Sequence, residues 1–403
     1  MKPVDFRDPA FVKRHIEETL AFYYPHAIDP SGGQYQFFLD DGTVYDRHTR
    51  HLVSSTRYVF VWASAWRRFG VDHYRTELRR SLEFLRGAHR NPQTGGYAWQ
   101  LAWRDGAVER VIDSTNHCYG LAFVLLAYSH GLRAGVSECS PWVAETWNLM
   151  EKHFWEPSRG LYADEADAQW HVRPYRGQNA NMHACEALIA AFEATGEQRY
   201  LDRAELVAGS ITERQAALAG GLVWEHYHED WSVDWDYNKN DRTNIFRPWG
   251  FQPGHLTEWA KLLVQLHRHR ANPGHVGRAA HFFDVALSTA WDEKHGGIAY
   301  GFAPDRSICD GEKYHWVQAE SLAAAAFLAE ATGEQKYWTW YERLWSYCWA
   351  HFVDHQYGAW FRILGADNRK ITNEKSPAGK VDYHDMGACH DILDLLLRGA
   401  GRV

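Results

Sequence analysis

Histidines and carboxylates at the heads of apolar segments are the residues of this sequence best suited to chemistry. In RPWGFQPGHLTEW (247–259), Pro-Trp-Gly and Gln-Pro-Gly break the chain, and His255 and Glu258 then open a helical run three residues apart. That spacing sets both side chains on one helix face, and the breakers put the face at the N-terminal end of the element. Three other stretches share the pattern: RGQNANMHACEALIAAF around His183, KYHWVQAESLAAAAFL around Glu320, and KVDYHDMGACHDILDLL around His384. Two imidazoles reaching over one substrate suit general acid and base work near neutral pH. A carboxylate three residues along, Glu258 after His255 or Glu186 after His183, can fix a tautomer or hold a hydroxyl. Arg57 and Arg176 can neutralise an oxyanion as it develops.

The rival reading of the same pairs is a divalent metal site, because His183/Glu186 and His255/Glu258 resemble the ligand pairs of helical bundles. No HExxH motif, glycine-rich phosphate loop or dinucleotide fingerprint accompanies them. Nothing else in the sequence strengthens a metal or nucleotide reading.

The elements that must position these residues repeat along the chain. A Gly-centred turn followed by a small or aromatic segment recurs near Gly33, Gly96, Gly160, Gly221, Gly297 and Gly358, at spacings of 63, 64, 61, 76 and 61 residues. Each interval holds two helices of ordinary length. The first helix covers 11–22. Pairs follow at 54–69 and 72–90, 114–131 and 141–154, 179–195 and 198–215, 255–270 and 275–290, and 317–332 and 335–352, with 385–397 last. Two linkers carry nearly the same words, ATGEQRY at 194–200 and ATGEQKY at 331–337, each stopping one helix with Gly.

One helix of each pair is apolar almost all round, with its polar residues in the first turn, while its partner carries charge along one face. That alternation predicts a buried inner ring and a half-exposed outer ring. The expected fold is all-α, a single (α/α)6 barrel spanning 1–403 with short β-turn segments between helix pairs. The competing architecture is an open α-solenoid, but the terminal repeats lack the polar outer faces of caps. The surplus of the 76-residue interval lies at 225–245, EHYHEDWSVDWDYNKNDRTNI, an insertion placed to overhang the His255 helix head as a substrate wall or lid. With the inner helices parallel, their heads bring Arg57, Asn116, His117, Arg176, Asn179, His183, His255, Glu258, Glu320 and His384 to one face.

Composition narrows the partner. Lys and Arg number 43 against 51 Asp and Glu, a net charge of -8 without a basic cluster, which argues against nucleic acid. There is no run of 18 apolar residues and no basic-apolar leader, so neither a membrane span nor a signal peptide is expected. Six cysteines without CxxC spacing read as reduced thiols of a cytoplasmic protein. The chain holds 20 Trp, 21 Tyr and 24 His. Aromatic faces among polar brackets, Trp316 of KYHWVQAE included, are how a protein holds a neutral polyol.

The motifs SSTRYVFVWA around Arg57, RPYRGQNANMHACEA (173–187), FRPWGFQPGHLTEWAKLL (246–263), KYHWVQAESLAA (313–324) and SPAGKVDYHDMGACHD run through nearly the whole chain. On them the chain resembles the N-acylglucosamine 2-epimerase superfamily, and within it the aldose–ketose isomerases acting on mannose- and sulfoquinovose-type sugars. The resemblance implies cofactor-independent acid/base chemistry on an opened monosaccharide. It assigns His384 to moving a proton between C2 and C1. It assigns His255 to ring opening and proton transfer at the oxygens, and His183, Arg57, Asn179, Glu258 and Glu320 to the substrate site. His117, Arg176 and Trp316 complete the candidate substrate-binding set. HLTEW and VDYHDMGA follow the isomerase form, so the implied reaction interconverts D-mannose and D-fructose, and D-lyxose and D-xylulose. The alternative is a sugar 2-epimerase, which returns the proton to the opposite face of C2. A glycoside hydrolase using Glu258 and Glu320 would leave the histidines without a task, and a sugar-binding protein without catalysis would show binding without C2 exchange. The expected assembly is a monomer or a homodimer.

Overall fold

In the computed structural model the described residues are 4–241, 244 and 247–400, with side chains described through 398. Of the expected insertion at 225–245, positions 242, 243 and 245 lie outside the described residues, as does the first residue of the 246–263 motif. Twelve long α-helices account for about half of these residues. They are α1 (Pro9–Tyr23), α2 (Leu52–Phe69), α3 (Asp72–Phe84), α4 (Cys118–Arg133), α5 (Cys139–His153), α6 (Gln178–Thr195), α7 (Gln198–Gly209), α8 (Pro253–His269), α9 (Pro273–Ala290), α10 (His315–Thr332), α11 (Gln335–His351) and α12 (Tyr383–Ala400).

Local grammar sets the ends of these helices. Asp8 caps α1 by accepting from the Ala10 amide, with Pro9 at the first helical position. The repeated ATGEQ words fold alike: Gly196 and Gly333 both close their helices at φ 73°, a left-handed conformation that costs glycine little. Pro253 opens α8 in the same manner as Pro9 opens α1.

The even helices from α2 to α12 form the inner ring, each packed against the next, and α12 returns to α2 to close it. The outer helices α3, α5, α7, α9 and α11 each lie against the inner helix that precedes them in the chain. The remaining outer position is taken by α1, which packs on α12. This closure joins the two ends of the sequence. Phe6 stacks on Trp345 with centroids 5.7 Å apart, and the Tyr341 hydroxyl donates to the Phe6 carbonyl. A continuous hydrophobic cluster runs from Phe11 to Leu395, and Trp62, Trp224, Trp259, Trp345 and Trp360 are fully buried in it. An (α/α)6 toroid with no closed β-sheet is the result.

Three features depart from the sequence reading. The expected turns are short antiparallel ladders, the longest a three-stranded sheet of Thr49–His51, Gln100–Arg104 and Ala107–Asp113. Helix α4 begins at Cys118, not at 114, because Asn116–His117 pair as a strand with Glu165–Ala166. Helices α3 and α7 run on as π-helical turns, Leu85–His89 and Ser210–Gln215, whose wider winding hydrophobic periodicity does not distinguish from α. No helix of the described residues is long and apolar enough to cross a membrane, and no disulfide joins the six cysteines, five of which are buried.

Candidate active site

All six inner helices present their N-terminal turns to one cavity of about 120 Å³. Arg57 enters from α2, Tyr119 from α4, and Asn179 and His183 from α6. His255 and Glu258 come from α8, His315 and Trp316 from α10, and His384 from α12. The connecting segments add Pro248, Tyr300, Tyr314, Arg362 and the 377–380 turn. The parallel inner ring thus collects polar residues far apart in sequence, because each helix spends its later turns on apolar packing.

Each cavity histidine has a carboxylate behind it. His384 Nδ1 is 2.7 Å from Glu320 Oε1, and His255 Nδ1 is 2.9 Å from Glu225 Oε2. His315 Nδ1 is 2.8 Å from Asp385 Oδ1, and His183 Nδ1 is 2.9 Å from Glu186 Oε2. A carboxylate only accepts, so it places the ring proton on Nδ1 and leaves Nε2 as the lone-pair nitrogen. In His384 that Nε2 lies 3.2 Å from Arg57 Nη2. The guanidinium sits between the rings of Phe123 and Tyr383, 4.6 Å from each centroid, and donates to the Gly379 carbonyl. Burial, then the nearby Arg57 charge, holds His384 well below the usual imidazole range. Burial lowers His183 as well, against the opposing pull of Glu186. These imidazoles are therefore neutral bases.

Trp316 lies between the two principal histidines, its ring centroid 5.0 Å from that of His255 and 5.8 Å from that of His384. It offers an apolar face beside two lone-pair nitrogens. Both carboxylate oxygens of Glu258 are buried without a partner, as is Asn179 Oδ1. Burial, then the Glu320 charge, raises the Glu258 carboxyl well above the usual range. Orphaned polar atoms on a cavity wall are groups awaiting a ligand's hydroxyls.

Several expectations meet a different arrangement. Arg176 does not line the cavity: its guanidinium is buried against Glu156, with Nη2 to Oε1 at 2.6 Å, and it donates to the Arg173 and Tyr175 carbonyls. It ties the base of the loop, since these bonds hold its guanidinium against Glu156 and away from the cavity. His117 also lies outside the lining, 3.5 Å from Glu165 and against Trp99, and its neighbour Tyr119 takes the place on the wall. Glu258 does not orient His255; it is 3.9 Å from His183. Glu320 stands behind His384 instead of on the cavity wall. Sequence reasoning missed Tyr119, Tyr300, Tyr314, His315 and Arg362 on the wall, and behind it Glu225 and Gln178, whose amide is 3.0 Å from His255 Nδ1. Gln178 and His315 both fall inside motifs quoted above, immediately before a chosen residue. Glu225 carried no signal beyond being the first acid of the insertion.

That insertion folds back over the heads of α6 and α8. His226–Tyr227 pair with Arg176–Gly177, His226 Nε2 is 2.8 Å from the Pro248 carbonyl, and the Trp249 indole donates to the Trp235 carbonyl.

By spacing alone, three groups among the described residues offer a metal its ligands: His315, Asp382 and Asp385, and two that share Glu258, one with His183 and Glu186 and one with Glu320 and His384. The Lys261 ammonium, 2.5 Å from Glu320 Oε2, already brings positive charge into this cluster. A larger cavity of about 530 Å³ opens at the opposite end of the barrel, at the C-terminal turns of the same helices. Its arginines, Arg67, Arg68, Arg133 and Arg268 among them, sit where cations offset the negative helix ends. The histidine dyads face the smaller cavity, which is the candidate active site.

Comparison with known proteins agrees with this geometry. The family model described as N-acylglucosamine 2-epimerase (GlcNAc 2-epimerase) matches residues 33–388. A D-mannose isomerase of Marinomonas mediterranea is 52% identical over 393 residues, spanning 97% of this chain and 98% of the relative. A crystal structure of D-mannose isomerase superposes with a TM-score of 0.95 at 51% identity, covering 98% of this chain and 100% of that one. The cellobiose 2-epimerase of Bacillus thermoamylovorans gives a TM-score of 0.84 at 18% identity over 96% of this chain and 99% of its own, a likeness of fold alone.

Proposed function

This chain belongs to the N-acylglucosamine 2-epimerase family, and from that premise we propose that it is an aldose–ketose isomerase interconverting D-mannose and D-fructose. The observation that carries the reading is the pair His384 and His255, each with a carboxylate on Nδ1, facing one small cavity with Arg57 beside His384 Nε2. The near full-length identity to a D-mannose isomerase supports the same substrate.

The reaction follows from these positions. In opened mannose the C1 aldehyde acidifies the C2 proton. His384 Nε2 takes that proton, and the electron pair left on C2 forms the C1–C2 double bond while charge develops on O1. The Arg57 guanidinium, already within hydrogen-bond reach of Nε2, stabilises that oxygen. His255 carries the O2 proton to O1 through the cis-enediol, and His384 returns its proton to C1, giving the ketone at C2. Trp316 supplies the surface under the sugar carbons, and Asn179, His183 and Glu258 supply polar atoms for hydroxyls. D-lyxose, which differs from mannose by loss of C6, presents the same C1 and C2 and is a second substrate on this reading, with D-xylulose as its product.

The whole chain acts as one catalytic domain, and the described part of the 225–245 insertion is a substrate wall, supported by the Glu225 bond to His255. A cavity of about 120 Å³ favours one monosaccharide over an oligosaccharide; pockets for larger ligands span roughly 300–1,000 Å³. Glycoside hydrolysis needs two carboxyl groups free to face each other across the bond. Glu320 is engaged on both oxygens, by His384 and Lys261. Five buried cysteines outside any disulfide, Cys118, Cys139, Cys185, Cys348 and Cys389, support the reducing cytoplasm as the location.

Incubating mannose with the enzyme in heavy water and following products by NMR tests the reading. Fructose is the expected product. Glucose would identify a 2-epimerase, and absence of turnover with any free aldose would overturn both.

A further inference from the structure

On helix α8 the residues His255, Glu258 and Lys261 follow one another at intervals of three, along the stripe that faces the barrel axis. His255 reaches the cavity, Glu258 stands one turn deeper, and Lys261 lies deeper still, with only 5% of its surface exposed. Its ammonium is 2.5 Å from Glu320 Oε2, while Glu320 Oε1 is 2.7 Å from His384 Nδ1. The three side chains form one line ending at the proposed base.

We propose that Lys261 is the positioning residue of this site, an internal counter-cation that keeps Glu320 an acceptor and so sets the tautomer of His384. The assignment deepens the isomerase reading and rests on it for its kinetic assay.

The physical argument turns on what Glu320 would do without the lysine. Glu186 on α6, Glu258 on α8 and Asp385 and Asp391 on α12 share its buried surroundings, with His183 and His384 facing it and Arg57 facing Glu258 and His384. Burial raises the Glu320 carboxyl, and Lys261 opposes that rise. Burial alone would lower the lysine, but Glu320, Glu186 and Glu258 more than offset it, so the ammonium persists. With the cation removed, a carboxylate among carboxylates takes up a proton. A protonated Glu320 donates to His384 Nδ1, which moves the imidazole proton to Nε2. That nitrogen would then meet the Arg57 donor with a proton of its own and would have no lone pair for C2. Lys261 thus prevents a tautomer switch that geometry alone permits.

The location of Lys261 makes the idea testable. It borders the 530 Å³ cavity at the far end of the barrel, together with Glu186 and Glu320, and does not line the sugar cavity. A small amine can therefore reach its place without competing with substrate.

The test compares Lys261→Met, Lys261→Ala and Lys261→Arg with wild type. Nitrogen-15 NMR of labelled histidine reads the His384 tautomer independently of any substrate. The expected result is Nδ1–H in wild type and Lys261→Arg, and Nε2–H in Lys261→Met. In the mannose assay kcat of Lys261→Met should fall about 10²-fold, the scale of a lost general base, with KM within about threefold. Its acidic limb should move to higher pH, since Glu320 must be ionised for activity and now protonates sooner. Ethylammonium should restore turnover to Lys261→Ala and leave wild type unchanged. An unaltered His384 tautomer in folded Lys261→Met overturns the proposal, as does equal loss of kcat in Lys261→Arg and Lys261→Met. If Lys261→Met does not fold, Lys261→Arg with a wild-type tautomer and Lys261→Ala rescued by the amine support it, and failure of either overturns it. Wild type inactive on mannose but carrying the expected tautomers would count against the isomerase reading alone.

Discussion

Glu225 and His255 are 30 residues apart and belong to different elements, yet Glu225 Oε2 lies 2.9 Å from His255 Nδ1. The first acidic residue of the long inter-helix insertion thus orients the imidazole at the head of the next inner helix. Gln178 approaches the same nitrogen from α6 and donates to the same Glu225 oxygen, Oε2, at 2.9 Å. Replacing Glu225 by Gln should keep the shape but lose the acceptor that fixes the ring proton. We expect kcat on mannose to fall about 10²-fold. Initial rates of fructose formation measure it, and a variant within twofold of wild type would deny Glu225 this role.

Arg57 is held by two aromatic faces and the Gly379 carbonyl, with one nitrogen left near His384 Nε2. Lysine has neither the planar fork nor the ring stacking. Arg57→Lys should therefore lower kcat by about 10²- to 10³-fold, as expected for a lost oxyanion donor. His384→Asn should abolish exchange of the C2 proton in heavy water, followed by NMR of recovered mannose. Near-normal exchange in His384→Asn would remove it from the proton path.

Gly254, in the first turn of α8, sits against Trp316. A Cβ there would lie 2.5 Å from the Trp316 ring and 2.8 Å from a Val317 methyl. An alanine inside a helix ordinarily stabilises it by about 1 kcal/mol over glycine, but here it must push the aromatic wall between His255 and His384. Gly254→Ala should raise KM for mannose at least as much as Trp316→Ala does, about fivefold for an aromatic contact of about 1 kcal/mol. An unchanged KM in both variants would mean the ring does not bear on the sugar.

Acid should destabilise the protein. Burial lowers His15 and His89 to about 4, and His51 and His390 to about 3. The unfolded chain binds these protons below about pH 6.5, whereas the folded chain stays neutral, so stability is lost as pH falls from there toward 4. Asp164 and Asp391, pushed up by burial to about 7, act in the opposite sense, since the folded form keeps protons the unfolded form has released. His183, His315 and His384 are lowered too, so the histidines prevail. Tm should be lower at about pH 5 than at about pH 7.5 at constant ionic strength. A Tm equal or higher in acid would contradict this balance.

The helix pairs were legible because hydrophobic periodicity and glycine stops are local, each readable within one window of sequence. The ATGEQ linkers and the Pro-opened helix at His255 show this, and the positions of Arg57, His183, His255 and His384 on one face followed from a parallel inner ring. The π-turns after α3 and α7 and the late start of α4 were not legible, since each depends on a strand or a packing partner elsewhere.

By itself the sequence determined which residues head the inner helices, and hence that imidazoles and carboxylates would gather at one end of a helical barrel. Only the tertiary structure decided which carboxylate serves which histidine. Glu225, not Glu258, orients His255; Glu320 moved behind His384; Arg176 turned away to Glu156; His315 joined the wall. Helical spacing sets the face a side chain points from, whereas a hydrogen bond of under 3 Å depends on how six separate helices are rotated against one another. That rotation is set by packing across the whole ring, and no single stretch of the chain contains it.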